Sequence, residues 1–135
     1  MNDTKQIIVI RKDLHMRLGK SCSQAAHAAL KVILDLMFDV EDSKNNLKFK
    51  TLCMEKGKPL DQWVNGVFKK VVVYVNSEAD LLFIFKQARE QNLPCSLIQD
   101  AGLTEFKGIP TYTCCAIGPA PEEEINKITK DLPLL

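Results

Sequence analysis

The chain has little of what several common functional frameworks require. Its five cysteines (Cys22, Cys53, Cys95, Cys114 and Cys115) are odd in number and irregular in spacing, and no C-x-x-C pair occurs. That pattern argues against a disulfide framework and against a zinc–thiolate site. Adjacent Cys114 and Cys115 on a strand point to opposite faces, which suits packing better than shared ligation, and no cysteine has an evident base partner for thiol catalysis. The two histidines, His15 and His27, make no recognised metal-ligand set. The motifs G-x-G-x-x-G, P-loop, G-x-S-x-G and H-E-x-x-H are all missing, and isolated Gly66 and Gly102 leave a dinucleotide site without its cradle. No run approaches the ~20 apolar residues that cross a bilayer. The polar start, Met1 to Gln6, passes directly into a strand-like run and does not read as a secretory signal. The expectation is a cytoplasmic protein with no membrane partner, no metal and no cofactor.

What is present is ordinary in amount and uneven in placement. The 135 residues, 46% hydrophobic and 26% charged, fit one soluble domain spanning 1–135. The net charge of +1 hides an asymmetry: residues 1–70 hold 13 Lys/Arg against 8 Asp/Glu, and residues 71–135 hold 5 against 9. A basic N-terminal half suits a phosphate backbone, although a solvated surface with chance asymmetry explains it equally well.

Hydrophobic period places the elements. Gln6 to Arg11 reads as a strand buried on both faces. After a polar loop, a helix opens at Gly19-Lys20, with Ala25, Ala28, Ala29, Val32, Ile33 and Leu36 forming one apolar stripe. At 100° per residue, Lys20, Gln24, His27 and Lys31 fall on a separate ridge away from that stripe. Residues 41–46 read as a turn, Leu47 to Met54 as a short helix, and Asp61 to Gly66 as a helical turn closed by glycine. Lys70 to Val75 is the clearest strand. Ser77-Glu78-Ala79-Asp80 is a capping-box pattern for a helix that buries Leu81, Leu82, Ile84, Phe85 and Ala88 and ends at Asn92-Leu93-Pro94. Cys95 to Gln99 and Thr111 to Ile117 are further strands, the latter broken by Gly118-Pro119-Ala120-Pro121. Pro121 then opens a last helix whose first turn carries Glu122, Glu123 and Glu124. Alternating strands and helices predict an α/β domain.

Two loops concentrate polar groups at carboxyl ends of strands, where open α/β sheets bind ligands. The first offers Arg11, Lys12, Asp13, His15, Arg17 and Lys20, continued by Gln24 and His27 on the helix. The second offers Asp100, Thr104 and Lys107. If the strands before them are neighbours, a carboxylate, a hydroxyl, an amine and an imidazole converge. Each residue also has a structural explanation: Lys20 as a surface lysine, His27 as a solvated histidine, Asp100 as a turn aspartate. A cation at a helix start is unfavourable for the dipole, which favours a second task for Lys20.

The ordered motifs Arg11-Lys12-Asp13-Leu14-His15-Met16, Gly19-Lys20, Gln24 and His27-Ala28 resemble the opening signature of type II peptidyl-tRNA hydrolases. Trp63, Gly66, Lys70 to Val73, Leu97 to Gly102, Thr104 and Ile117 to Pro121 follow in the family's order, as does the tail from Ile125 to Leu135. The likeness covers nearly the whole chain except a divergent or inserted segment near 38–60. It implies a three-layer α/β/α domain with a mixed sheet of four or five strands. It further implies hydrolysis of the peptidyl-tRNA ester without a required metal, and a homodimer. Carried over residue by residue, it implies Lys20, Asp100 and Thr104, with His27 and Gln24 supporting; together with the loop reading this gives Lys20, His27, Asp100 and Thr104 as candidate catalytic residues and Arg11, Asp13, Arg17, Gln24 and Lys107 as candidate substrate contacts. The departures fall beside this set. Leu103-Thr104-Glu105 stands where the family has Arg-Thr-Gln, so one cation is lost and one anion gained, and the following Pro-Gly turn becomes Gly108-Ile109-Pro110. Those changes sustain the alternative of a weakened or inactive relative that binds tRNA or a protein partner.

Overall fold

A computed structural model describes residues 3–135. In chain order the elements are β1 (Thr4–Arg11), α1 (Leu18–Leu36), β2 (Phe38–Asp42), β3 (Leu47–Thr51), α2 (Pro59–Val64), β4 (Lys70–Val75), α3 (Glu78–Glu90), β5 (Cys95–Asp100), β6 (Thr111–Pro121) and α4 (Glu122–Thr129). Four strands make a mixed sheet in the order β4-β1-β6-β5; β1 and β4 are parallel, and β6 is antiparallel to both its neighbours. The polar β5 and the apolar β1 are therefore not adjacent, contrary to the condition set on convergence. They run in the same direction with β6 between them, so their carboxyl ends still emerge on one edge.

Period-two alternation along β1 divides the core between two layers. Ile7 and Val9 join Val73, Val75, Leu81, Ile84, Ala88, Cys115, Ile117 and Ile125 beneath α3 and α4. Ile8 and Ile10 join Ala28, Val32, Cys114 and Ala116 beneath α1. The adjacent cysteines do face opposite sides. As expected, Ser77 caps α3 by accepting from the Asp80 N–H at 3.0 Å, and three glutamates fill the first turn of α4.

Small residues at Ala25, Ala28 and Ala29 let α1 lie close to the sheet, and three strands donate to its carbonyls. Gln6 on β1 donates to Ala29 O at 3.2 Å, Ser96 on β5 to Ala28 O at 2.9 Å, and the Cys114 thiol on β6 to Gln24 O at 3.3 Å. The helix is thus fixed in rotation as well as position.

Two expected elements differ. Leu47 to Met54 is not helical: Leu47–Thr51 is β3, paired antiparallel with β2 through the registers Val40–Phe49 and Glu41–Lys48. Phe38, Val40, Leu47 and Phe49 fall on one side of this ribbon, and Asp39, Glu41, Lys48 and Lys50 make an ion-pair ladder on the other. Asn46, left-handed at φ 54, closes the turn. Nor does Gly118-Pro119-Ala120-Pro121 break β6, which runs through to Pro121. A register shift in β1 between Lys5 and Ile7 absorbs the proline, and Gly118 at φ +102 leaves its N–H free to donate to Pro94 O at 2.7 Å. An added Cβ there would come within 2.5 Å of Lys5 O, which explains the glycine.

Candidate active site

The loop after β1 turns back through a short 3-10 turn at Lys12–Leu14, closed by His15 in the left-handed conformation. Arg11 and Asp13 hold that loop. The guanidinium donates to both carboxylate oxygens, at 3.2 and 2.7 Å, and to Tyr112 O at 3.1 Å. These two residues are thereby engaged with each other and with β6. The turn delivers the chain to Leu18, where α1 starts one residue before the expected point, with no side chain capping its N-terminus.

From the first turn of α1, Lys20 extends over the end of β5. Its ammonium donates to Asp100 Oδ1 at 2.7 Å and to Thr104 Oγ1 at 3.0 Å. One turn later Gln24 Nε2 makes a longer contact, 3.4 Å, to the same Asp100 oxygen. The other carboxylate oxygen accepts from the Gly102 N–H at 2.9 Å. Gly102 must be glycine: its φ is +83, and an added Cβ would lie 2.4 Å from Ile109 O. The ion pair is largely sheltered, with 15% of the Lys20 side chain and 13% of the Asp100 side chain exposed. Hydrogen bonding from Lys20 holds the Asp100 carboxyl below its ordinary value; partial burial opposes this shift, while the Gly102 N–H and the charges of Lys20 and His27 reinforce it.

The ridge read from helical period splits in two. Gln24 is buried rather than lying on an outward face, and His27 and Lys31 are exposed. His27 Nε2 lies 3.5 Å from Ser23 Oγ and makes no hydrogen bond to the lysine–aspartate pair. Lys31 pairs with Asp35 one turn on. Arg17 is exposed and reaches Glu105 at 3.8 Å, and Lys107 stands in solvent with a left-handed backbone, φ 51. The structure therefore brings together Lys20, Gln24, Asp100 and Thr104. It sets His27, Arg17 and Lys107 around them, and gives Arg11 and Asp13 to the loop.

Sequence reasoning missed Thr113. Fully buried on β6, it donates from Oγ1 to Gln24 Oε1. With its oxygen so occupied, the Gln24 amide presents its NH2 to Asp100. Only a polar residue at an otherwise apolar central strand could have signalled this; Thr113 sits in the run Thr-Cys-Cys-Ala-Ile.

Among the described residues, no group of three His, Cys, Asp or Glu is arranged to hold a metal ion, and no helix is long and apolar enough to cross a membrane. An apolar trough of about 500 Å³ between α1 and α2, lined by Ile8, Ala25, Ala29 and Trp63, does not include the polar cluster.

The half-buried lysine–aspartate pair with a hydroxyl at its mouth consists of residues singled out by the resemblance, and comparison with known proteins bears on the family. A sequence model of the family described as Peptidyl-tRNA hydrolase PTH2 matches residues 4–135. The peptidyl-tRNA hydrolase of Methanocaldococcus jannaschii is 40% identical over 131 residues, 97% of this chain and 99% of that protein. Those of Saccharolobus solfataricus and Sulfurisphaera tokodaii are 38% and 42% identical, each over 98% of its own length. The chain belongs to the Peptidyl-tRNA hydrolase PTH2 family.

Proposed function

We propose that this chain hydrolyses the ester joining a peptide to the 3′ end of tRNA, with Lys20, Asp100 and Thr104 at the reacting carbonyl. The observation that carries this reading is the Lys20 ammonium, held between Asp100 at 2.7 Å and Thr104 at 3.0 Å at the mouth of the site. Ester hydrolysis needs a placed water and a positive group where negative charge develops on the carbonyl oxygen. Lys20 supplies the charge. Because Thr104 Oγ1 accepts from Lys20, its own hydroxyl proton is free to point at the ester oxygen.

The state of Asp100 supports a positioning part for it. A carboxylate held below its ordinary value by Lys20, and bonded at both oxygens, is a weak proton acceptor. It serves instead to fix Lys20 and to orient the attacking water through a remaining lone pair. The water oxygen bonds to the carbonyl carbon, the bond from that carbon to the ribose oxygen breaks, and a water proton passes to the ribose oxygen. Peptide and free tRNA leave. His27, exposed beside the pair, faces the approaching tRNA end, and Arg17 and Lys107 lie where a phosphate backbone would pass. A cytoplasmic setting belongs to this reading of the substrate. So does the homodimer, which the exposed Leu30 beside Ala26 and Trp63 supports.

Purified protein incubated with a labelled peptidyl-tRNA is expected to release peptide, and Lys20→Ala or Asp100→Ala to lower the rate by about 10²–10³. Release by Asp100→Ala at the unsubstituted rate would remove these assignments. The departures at Leu103 and Glu105 favour a second reading, a relative that binds tRNA without cleaving it, and absence of release by the unsubstituted protein would select that one.

A further inference from the structure

The four-stranded sheet has two edges, and the chain closes one of them itself. Along β4 the C-terminal tail is added to the sheet: the Tyr74 N–H donates to Pro133 O and the Leu135 N–H to Val72 O, each at 3.1 Å, with Leu134 bridged to Val73. β5, at the other edge, pairs with β6 alone. The Gly118 N–H donates to Pro94 O at 2.7 Å, so this pair faces into the sheet, and antiparallel alternation turns Ser96 and Ile98 inward with it. The N–H and C=O of Cys95 and Leu97 therefore point outward, and among the described residues no backbone group outside the sheet bonds to them. Cys95–Asp100 also lacks the lysine and proline that commonly blunt an edge. This open edge leads into the polar cluster. β5 ends at Asp100, and Lys20 and Gln24 both reach that carboxylate from α1, so the flank of α1 that carries them borders β5. The apolar trough lies along the other flank, through Ala26, Leu30 and Ile33.

We infer that the outer edge of β5 takes the peptide of peptidyl-tRNA as an added parallel strand, its esterified end at Asp100 and its N-terminal residues running back toward Cys95. The inference rests on the peptidyl-tRNA reading of this site. With the scissile carbonyl at the cluster, the carboxyl end of the peptide lies at the carboxyl end of β5, which fixes the direction as parallel. The chemistry of the edge selects the occupant. It presents N–H and C=O in alternation at strand spacing, which a peptide main chain matches and a phosphate backbone, an acceptor at every linkage, does not. Main-chain pairing is also indifferent to side chains, and the main chain is what peptides of different sequence share. Leu97 stands about 10 Å from Asp100 at the rise of a strand, so an ester of a single amino acid ends short of it, whereas about five residues reach Cys95. Two or three added hydrogen bonds correspond to a gain of about tenfold.

The test charges one tRNA body with N-acetylated oligoalanines of increasing length, as esters for kcat/KM and as non-hydrolysable 3′-amide-linked analogues for binding. Both measures are expected to rise about tenfold between one residue and about five, and then to level off. N-methylation moved along the longer peptide should abolish the gain at alternate positions only, because successive N–H groups of a strand point to opposite sides. In the protein, the Cys95 and Leu97 amides should exchange readily with solvent and become protected by the longer analogue but not by the single-residue one, with Ser96 and Ile98 protected throughout. Affinity independent of length, uniform tolerance of N-methylation, or Cys95 and Leu97 amides unchanged by the longer analogue overturns the inference. So do amides already protected in the free protein, as a second copy paired on this edge would make them. Cleavage and binding fail separately. Analogue pairing without ester cleavage would keep the edge and remove the hydrolase reading, whereas cleavage without dependence on length would do the reverse.

Discussion

Thr113→Val is the substitution that most directly tests how the site is held. Valine keeps the shape of threonine and removes its donor, so the change deletes the hydrogen bond to Gln24 together with the weaker 3.7 Å contact to Cys114 Sγ. Thr113 is fully buried and Gln24 is 2% exposed, so water has little access to the Gln24 oxygen left behind. Turning the amide over does not help, because its oxygen would then face the Asp100 carboxylate. An unsatisfied buried acceptor costs about 1–3 kcal/mol. For a domain of this size each kcal/mol shifts Tm by roughly 3–5 °C, interpolating between smaller and larger domains. The expected loss is therefore about 3–15 °C in a thermal melt, with a fall of about tenfold in peptide release as Gln24 loosens against Asp100. Thr113→Ser is the control: it keeps the donor, loses a methyl group at about 0.5–1.5 kcal/mol, and retains activity. A valine variant as stable and active as the unsubstituted protein, beside a weaker serine variant, would show that the methyl group matters and the hydroxyl does not.

Two further outcomes follow from the electrostatics. The Asp100 carboxyl is held below its ordinary value of 3.8 mainly by Lys20. Its ionised form thus contributes stability in full above that value, and the contribution is lost as pH falls through the lower folded pKa. In urea unfolding, the gap between the unsubstituted protein and Asp100→Asn should be level from about pH 5 to 8 and shrink below about pH 4; a gap that widens on acidification contradicts the assigned pair. Glu105→Gln removes an anion facing Arg17 across 3.8 Å, a pair too exposed on the arginine side to contribute much stability. It should leave Tm nearly unchanged, tighten tRNA binding at low salt, and steepen the salt dependence by up to about one counterion. An identical salt slope would mean that Arg17 does not meet the backbone.

Much of this architecture was legible because burial leaves a period. The run Val71-Val72-Val73, the alanine face of α1 and the serine cap of α3 each state their structure locally. The hairpin was misread for a physical reason. A five-residue strand with two lysines and a helical turn look alike when only apolar residues are counted, and the distinguishing alternation of Leu47 and Phe49 against Lys48 and Lys50 spans barely two periods. In β6 the proline signal was local, whereas β1, the strand that pairs with its proline-bearing end, lies more than a hundred residues away in sequence. Apart from Thr113, the polar residues of the site were visible, but not their engagements. Asp13 and Asp100 look equivalent in the sequence, and only the fold gives one to Arg11 and the other to Lys20. Gln24 was placed on an outward ridge because period reports the angle around a helix, not the strand that approaches it.

The three hydrogen bonds from Gln6, Ser96 and Cys114 onto the carbonyls of α1 also bear on which length changes the gene can tolerate. They pin the helix from Gln24 onward, and Lys20 stands just before the pinned part. Adding or removing residues in the loop between Asp13 and Leu18 changes the approach and leaves Lys20 aimed at Asp100. A single residue inserted between Lys20 and Gln24 turns the lysine by about 100° around the helix axis while everything beyond stays locked to the sheet. Insertions and deletions thus meet a boundary at Lys20: on one side they leave its contact with Asp100 in place, and on the other they break it.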